Sequence, residues 1–233
     1  MKKTILFVAL GLITIFCIIY GTSRNFGFGH PFERDDRSVE ISKNERGTVE
    51  QVLESFTEIR MKTNIMSLTI EEGPQFKIEG SYNKSSLCPE VSVKNGVLQV
   101  TQHSPQHGFN TGAQHCRVVI TIPSGTNLSN IDINASVGDI RLRDLNADDI
   151  DISLNVGEID VNKVLFNTIK CDNNVGKVSI DSVADLKDYS MSLSTDVGEV
   201  RVDGHSYRRS YDFRGEGKKR IKVSTNVGEV NVR

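Results

Sequence analysis

The sequence has no tryptophan, only five prolines and few aromatic side chains of any kind, 6% of 233 residues. Stacking of bases or sugars on aromatic faces therefore has little material to work with. An excess of either charge is missing as well. The 28 lysines and arginines stand against 30 aspartates and glutamates, for a net charge of −2. A general nucleic-acid or anionic-membrane binder carries a marked basic surplus, so this balance argues against that class. Nor is there an amphipathic helical period of any length. What is present is a folded composition, 37% hydrophobic and rich in Val and Ile.

One long apolar run stands at the start. Met1, Lys2 and Lys3 precede an uncharged stretch from Thr4 to Ser23. Twenty helical residues rise about 30 Å, the thickness of a bilayer core. Residues 1–23 read as an uncleaved signal-anchor, a transmembrane helix whose paired lysines stay in the cytoplasm while the rest of the chain lies outside. A cleaved signal peptide is the rival, because Gly21-Thr22-Ser23 resembles a cleavage site. Cys17 is a poor lipoprotein site, since Phe16 rather than a small residue precedes it. Residues 24–47 mix Gly, Pro and charge without a period and read as a juxtamembrane linker. Phe26, Phe28 and Phe32 there either sit at headgroup level or are scattered along a spacer. The first expected partner is thus the membrane, through the N-terminal helix.

From Phe56 the period becomes two. "FTEIRMKTNIMSLTI", "QFKIEG", "EVSVKNGVLQV" and "CRVVITIPSG" alternate apolar and polar residues. Turns are expected at Glu72-Gly73-Pro74, Asn95-Gly96 and Pro123-Ser124-Gly125. Residues 48–233 are expected to form one extracytoplasmic domain of β-strand repeats.

Five nearly identical stretches follow: "NASVGDI", "LNVGEID", "NNVGKVS", "TDVGEVR" and "TNVGEVN". Their glycines are Gly138, Gly157, Gly176, Gly198 and Gly228, separated by 19, 19, 22 and 30 residues. A period near twenty means one supersecondary unit per repeat, stacked on its neighbours. Each unit offers inward apolar residues before and after its glycine, such as Ile152 and Ile159, or Ile169 and Val178, with Val183 closing the third. Each glycine is expected to turn a corner where a Cβ would be resisted. The valines beside them (Val137, Val156, Val175, Val197 and Val227) are expected to fill the corners of the core. Asn155, Asn174 and Asn226 are placed to hydrogen-bond along the stack, as in cross-β ladders. Stacking in chain order puts Lys177 between Glu158 and Glu199. Like charges about 4.8 Å apart repel by about 1 kcal/mol in water, so Lys177 relieves the acidic row without a metal. Cys171 occupies an inward slot and reads as a buried free thiol. "KTNIMSLTI" is a degenerate earlier unit, with Met66 in the glycine's place.

These features together resemble the bacterial putative-adhesin family, a domain of unknown function built from β-strand repeats. The resemblance rests on the anchored N-terminus, "VVITIPSGTNLSNIDINASVGDIRL", the iterated "NVGEI" turns and the terminal "GEGKKRIKVSTNVGEVNVR". It covers roughly residues 50 to 233. It implies an all-β fold, a right-handed parallel β-solenoid of single-stranded coils, and for some relatives a link to envelope stress. It brings no catalytic residues. This chain departs from the pattern in its long insertion between Gly198 and Gly228 and in its His-rich loop.

Three clusters of chemistry remain. His103, His107, His115 and Cys116 share a polar loop, with Cys88 nearby in sequence. Their spacing matches no zinc motif, and Ser104-Pro105 works against a helix presenting the histidines together. A disulfide between Cys88 and Cys116 is the favoured reading, with free thiols the alternative. Asp148, Asp149 and Asp151 lack the calcium-binding repeat and any catalytic setting, so a solvated turn is expected. In the insertion, Tyr207, Arg208, Arg209, Tyr211, Phe213 and Arg214 interleave rings with positive charge. They form the candidate contact surface for an anionic envelope polymer or a membrane-protein partner, or else a cover for the end of the stack.

The expected function is a non-catalytic binding or scaffold module on the outer face of a bacterial membrane, with no cofactor, metal or nucleic acid. A sensor or regulator of envelope stress is the alternative. A polysaccharide-active enzyme ranks third.

Overall fold

Alternation of β-branched and polar residues yields strands almost throughout the computed structural model, which describes residues 46–102 and 114–233. The expected membrane helix, most of the linker, and His103 and His107 lie outside the described residues. The described residues form twelve strands: β1 (Gly47–Val52), β2 (Glu58–Ile65), β3 (Ser67–Gly73), β4 (Lys77–Tyr82), β5 (Glu90–Lys94), β6 (Val97–Thr101), β7 (Cys116–Pro123), β8 (Asn127–Ser182), β9 (Tyr189–Val202), β10 (His205–Tyr207), β11 (Ser210–Phe213) and β12 (Lys219–Val232). They form one curled mixed sheet in the order β1-β4-β7-β3-β8-β12-β9-β10. β2 joins β8 to β6 and β5, and β11 lies on β9. The Asn95-Gly96 turn has positive φ at both residues, 52° and 75°, as a two-residue hairpin between β5 and β6 requires.

β8 is 56 residues long because it runs through three glycine corners without a break. Its inward files are apolar: Ile131, Ile150 and Ile169, then Ile133, Ile152 and Cys171, all at most 2% exposed. Beyond the corner they continue as Ile140, Ile159 and Val178. β9 and β12 add Leu193 and Val200, and Val223 and Val230, to the same files. Full burial of each such side chain stabilises by about 1.5–3 kcal/mol, so repetition builds one continuous core.

The corners need glycine on two counts. Their φ values run from +141° to +151°, a region that favours glycine. Each Cα also faces a backbone carbonyl of the next corner, leaving no room for a Cβ. The valines, however, point outward and are 39–46% exposed. The last inward residue stands three positions before each glycine (Ala135, Leu154, Asn173, Thr195 and Thr225), and the next stands two after it. That separation is odd, so strict alternation slips phase at the corner and leaves the valine outside. Val183 is also outside, 62% exposed, because the chain leaves the stack at Ser182.

The stacking order differs from the chain order too. β12 lies between β8 and β9, with Gly228 in register with Gly176 on one side and with Gly198 on the other. The corner file therefore runs Met66, Gly138, Gly157, Gly176, Gly228, Gly198. Lys177 faces Glu229, not Glu199, across this pairing. Met66 does hold the glycine's place in the first unit: Ile65 pairs with Val137, and Leu68 with Ile140. Among the described residues no further corner lies beyond it. Instead, the Gln102 side chain accepts hydrogen bonds from the Asn64 and Ile65 backbone N–H groups at 3.0 and 3.1 Å and donates to the Leu87 carbonyl at 2.7 Å.

Antiparallel strands close both ends of the parallel stack. β4 pairs with β7 and β1 with β4 at one end, and β5 pairs with β6 beside them. β10 and β11 cover β9 at the other. Such closure keeps an open edge from templating aggregation.

Candidate functional site

The insertion after Gly198 builds the cap on β9. β10 places Tyr207 beside Val200, and β11 places Tyr211 beside Leu193 and Phe213 beside Met191. The rings form a row: the Tyr207 and Tyr211 centroids are 4.5 Å apart, and Tyr211 stacks on Phe213 at 6.5 Å. All three are half-buried and packed against the core. Partial burial pushes the Tyr211 hydroxyl pKa up, with Tyr207 adding to the effect. The rings therefore cover the end of the core, as the second sequence reading expected.

The charged residues between them point the other way. Arg208, Arg209 and Arg214 are exposed, and among the described residues none of the three makes an ion pair. The Arg209 carbonyl accepts a hydrogen bond from Thr195 N–H at 2.8 Å, which fixes the backbone while leaving the side chain free. Lys219 lies 5.4 Å from the Tyr189 ring centroid, within cation–π reach. Arg201 is different in kind. It pairs with Glu199 and lies 4.0 Å from Glu229, so its charge is spent within the sheet. Ser206 and then Arg201 hold Glu199 below the usual carboxylate range, against the opposing effect of desolvation. The arrangement offers guanidinium groups without an ion-pair partner among the described residues, suited to carboxylate or phosphate oxygens.

Elsewhere the outward rows satisfy themselves. Asn174 donates to Asn155 at 3.0 Å, and Asn226 donates to Asn174 at 3.2 Å, forming a ladder along the corner. Asp148 accepts from Asn127 and Asn167 at 3.2 and 3.0 Å, and Lys170 bridges Asp151 and Asp172. Among the described residues no cluster of three or more His, Cys, Asp or Glu side chains could hold a metal. A shallow hollow of about 280 Å³, absent from the sequence reading, lies between Arg141, Asp160 and Lys177. Its sequence signal was the charged residue after each of three glycines, Asp139, Glu158 and Lys177.

The cysteines separate by environment. Cys171 is fully buried, and burial first, then Asp151 and Asp172, push its thiol pKa far up. Cys88 and Cys116 are both free thiols. Cys116 is buried, and its thiol pKa is pushed up to about 11, by burial and then by Cys88 nearby. His115 is exposed, with its backbone N–H held by the Asn83 side chain at 2.9 Å.

The family described as Toastrack DUF4097 matches the chain twice, over residues 56–208 and 132–233. Two overlapping matches are what repeats in register allow. Among solved structures, a putative cell adhesion protein from Clostridium sporogenes is 17% identical, with a TM-score of 0.65 over 81% of this chain and 99% of that one. A putative adhesin from Bacteroides fragilis is 12% identical, with a TM-score of 0.40 over 81% of this chain and 97% of that one. No curated protein matches the chain.

Proposed function

Since the chain belongs to the Toastrack DUF4097 family, we propose that it is a non-catalytic binding or scaffold module of a bacterial cell envelope, an adhesin in the broad sense. Residues 1–23 hold it in the membrane, and residues 48–233 stand outside. The stacked corners are the coils of a right-handed parallel β-solenoid, a rigid support for a contact surface at its end. One observation carries the reading. The cap turns its rings toward the core and leaves Arg208, Arg209 and Arg214 exposed, without carboxylate partners among the described residues. A surface built only to close the stack has no need of unpaired guanidinium groups. The ligand class is an anionic envelope polymer, held by charge-assisted hydrogen bonds.

The test uses the full chain with Arg208, Arg209 and Arg214 all replaced by Ser. Co-sedimentation with anionic cell-wall polymer is expected to fall, and wild-type binding to weaken with salt, because exposed charges are screened beyond about 8–10 Å. Thermal stability should stay close to wild type, since such exposed substitutions cost about 0.5 kcal/mol or less each. Tyr211→Ala should behave oppositely, lowering the melting temperature at any salt concentration. Unchanged, salt-insensitive binding by the triple variant would leave the insertion as a cap alone.

A further inference from the structure

The last strand in the chain is an interior strand of the sheet. β12 pairs in parallel with β8 along one edge and β9 along the other, Val223 lying between Cys171 and Leu193. Ile221, Val223, Val230 and Val232 are at most 1% exposed. β9 is made earlier, yet it has no pairing with β8 of its own. Until β12 arrives, β8 and β9 border a slot one strand wide. The slot is specific: it demands a parallel strand with glycine at the corner and apolar residues at fixed alternate positions.

The connection into this slot is short. Phe213 of β11 and Ile221 of β12 both lie in register with Met191, on opposite edges of β9. They are therefore about 10 Å apart, two strand spacings. Residues 214–218 cross the start of β9 to bridge that gap, and five extended residues reach about 17 Å. Two backbone hydrogen bonds fasten the crossing, Gly215 N–H to Ser190 Oγ at 3.2 Å and Glu216 N–H to the Lys187 carbonyl at 3.1 Å. Gly215 and Gly217 let the crossing pass close over the chain beneath it: an added Cβ would stand 2.4 Å from the Tyr189 carbonyl oxygen and 2.7 Å from that of Asp188.

We infer that β12 is an exchangeable strand: the slot between β8 and β9 takes the β12 of a second copy of this chain, and a two-fold strand-exchanged dimer results. The pairing and burial in the exchanged dimer are those within one copy. Only the crossing changes course, so the cost is confined to the hinge and the entropy of association. A dimer carries two basic caps and gains avidity for a polymeric ligand wherever both caps can engage it. The inference stands on topology and is independent of what the cap binds.

Two full chains with different tags, one carrying Ser194→Cys and the other Ser224→Cys, are co-expressed and treated with a mild thiol oxidant. Ser194 and Ser224 are register partners with outward side chains. In unexchanged copies each new thiol stands alone, whereas exchange sets the two side by side. Their oxidation to a disulfide passes two electrons to the added oxidant and releases two protons. The expected result is a covalent heterodimer carrying both tags, lost when Asn134→Cys replaces Ser194→Cys. Both substitutions in one chain report folding separately, through an intramolecular disulfide. If that disulfide forms and the two-chain experiment gives no more heterodimer than the Asn134→Cys control, strand exchange is refuted.

Discussion

Gly176→Ala tests the corner chemistry most directly. Gly176 has φ +141°, and an added Cβ would stand 1.8 Å from the Gly157 carbonyl oxygen. Real Cβ atoms stay at 3.0 Å or beyond, so the two coils would have to part by more than an ångström at this corner. Backbone strain at such a φ costs about 1–3 kcal/mol. Parting the coils stretches the neighbouring backbone hydrogen bonds, each worth about 1 kcal/mol net. It also disturbs the 3.0 Å bond from the buried Asn173 side chain to the Gly157 carbonyl. The expected loss is about 3–5 kcal/mol, a large share of the roughly 5–15 kcal/mol that holds a typical domain folded. Two controls separate the causes. Gly204 has φ +76° with nothing within 4 Å of an added Cβ, so Gly204→Ala should cost about 1–2 kcal/mol from conformation alone. Val175→Ala, at a side chain 45% exposed, should stay within about 0.5 kcal/mol of wild type. Urea unfolding followed by circular dichroism reads all three. A Gly176→Ala midpoint no lower than that of Gly204→Ala would refute close coil contact as the reason for glycine.

The thiols and the pH supply further checks. A maleimide reagent should reach Cys88 in the native protein and miss Cys171 until denaturant is added, and rapid native labelling of Cys171 would contradict its burial. The reduced protein should lose stability between about pH 9 and pH 11. The folded state keeps the Cys116 proton up to about pH 11, while the unfolded thiol releases it near its ordinary value of 9.0, so deprotonation favours unfolding across that window. Cys116→Ala should remove this part of the pH dependence, measured as the change in melting temperature between pH 8 and pH 11. An identical slope in the variant would assign the loss to other groups.

Much of this protein was legible locally. Side chains on a strand alternate between faces with a period of two, so the apolar files through Ile152, Cys171 and Val223 could be drawn without coordinates. The recurring Val-Gly marked the five glycine corners, because φ near +145° and a carbonyl against Cα admit nothing larger than hydrogen there. Even the degenerate unit at Met66 kept enough alternation to be placed.

The outward turn of the valines was not local. It depends on the phase slip that the stacked glycines impose between Asn173 and Val178, and equivalently in the other coils. The nearness of Cys88 to Cys116, and the way Gln102 finishes the terminal corner, join segments that share no sequence pattern. The position of β12 shows the limit most clearly. The five glycine repeats carry the same apolar files and the same glycine, so any of them can stack on any other with its alternation satisfied. Which one lies beside which is decided by the edges that must be closed. β10 and β11 cover β9 on its outer side, the crossing from Phe213 leads over the start of β9, and the one vacancy left for the last strand is between β9 and β8.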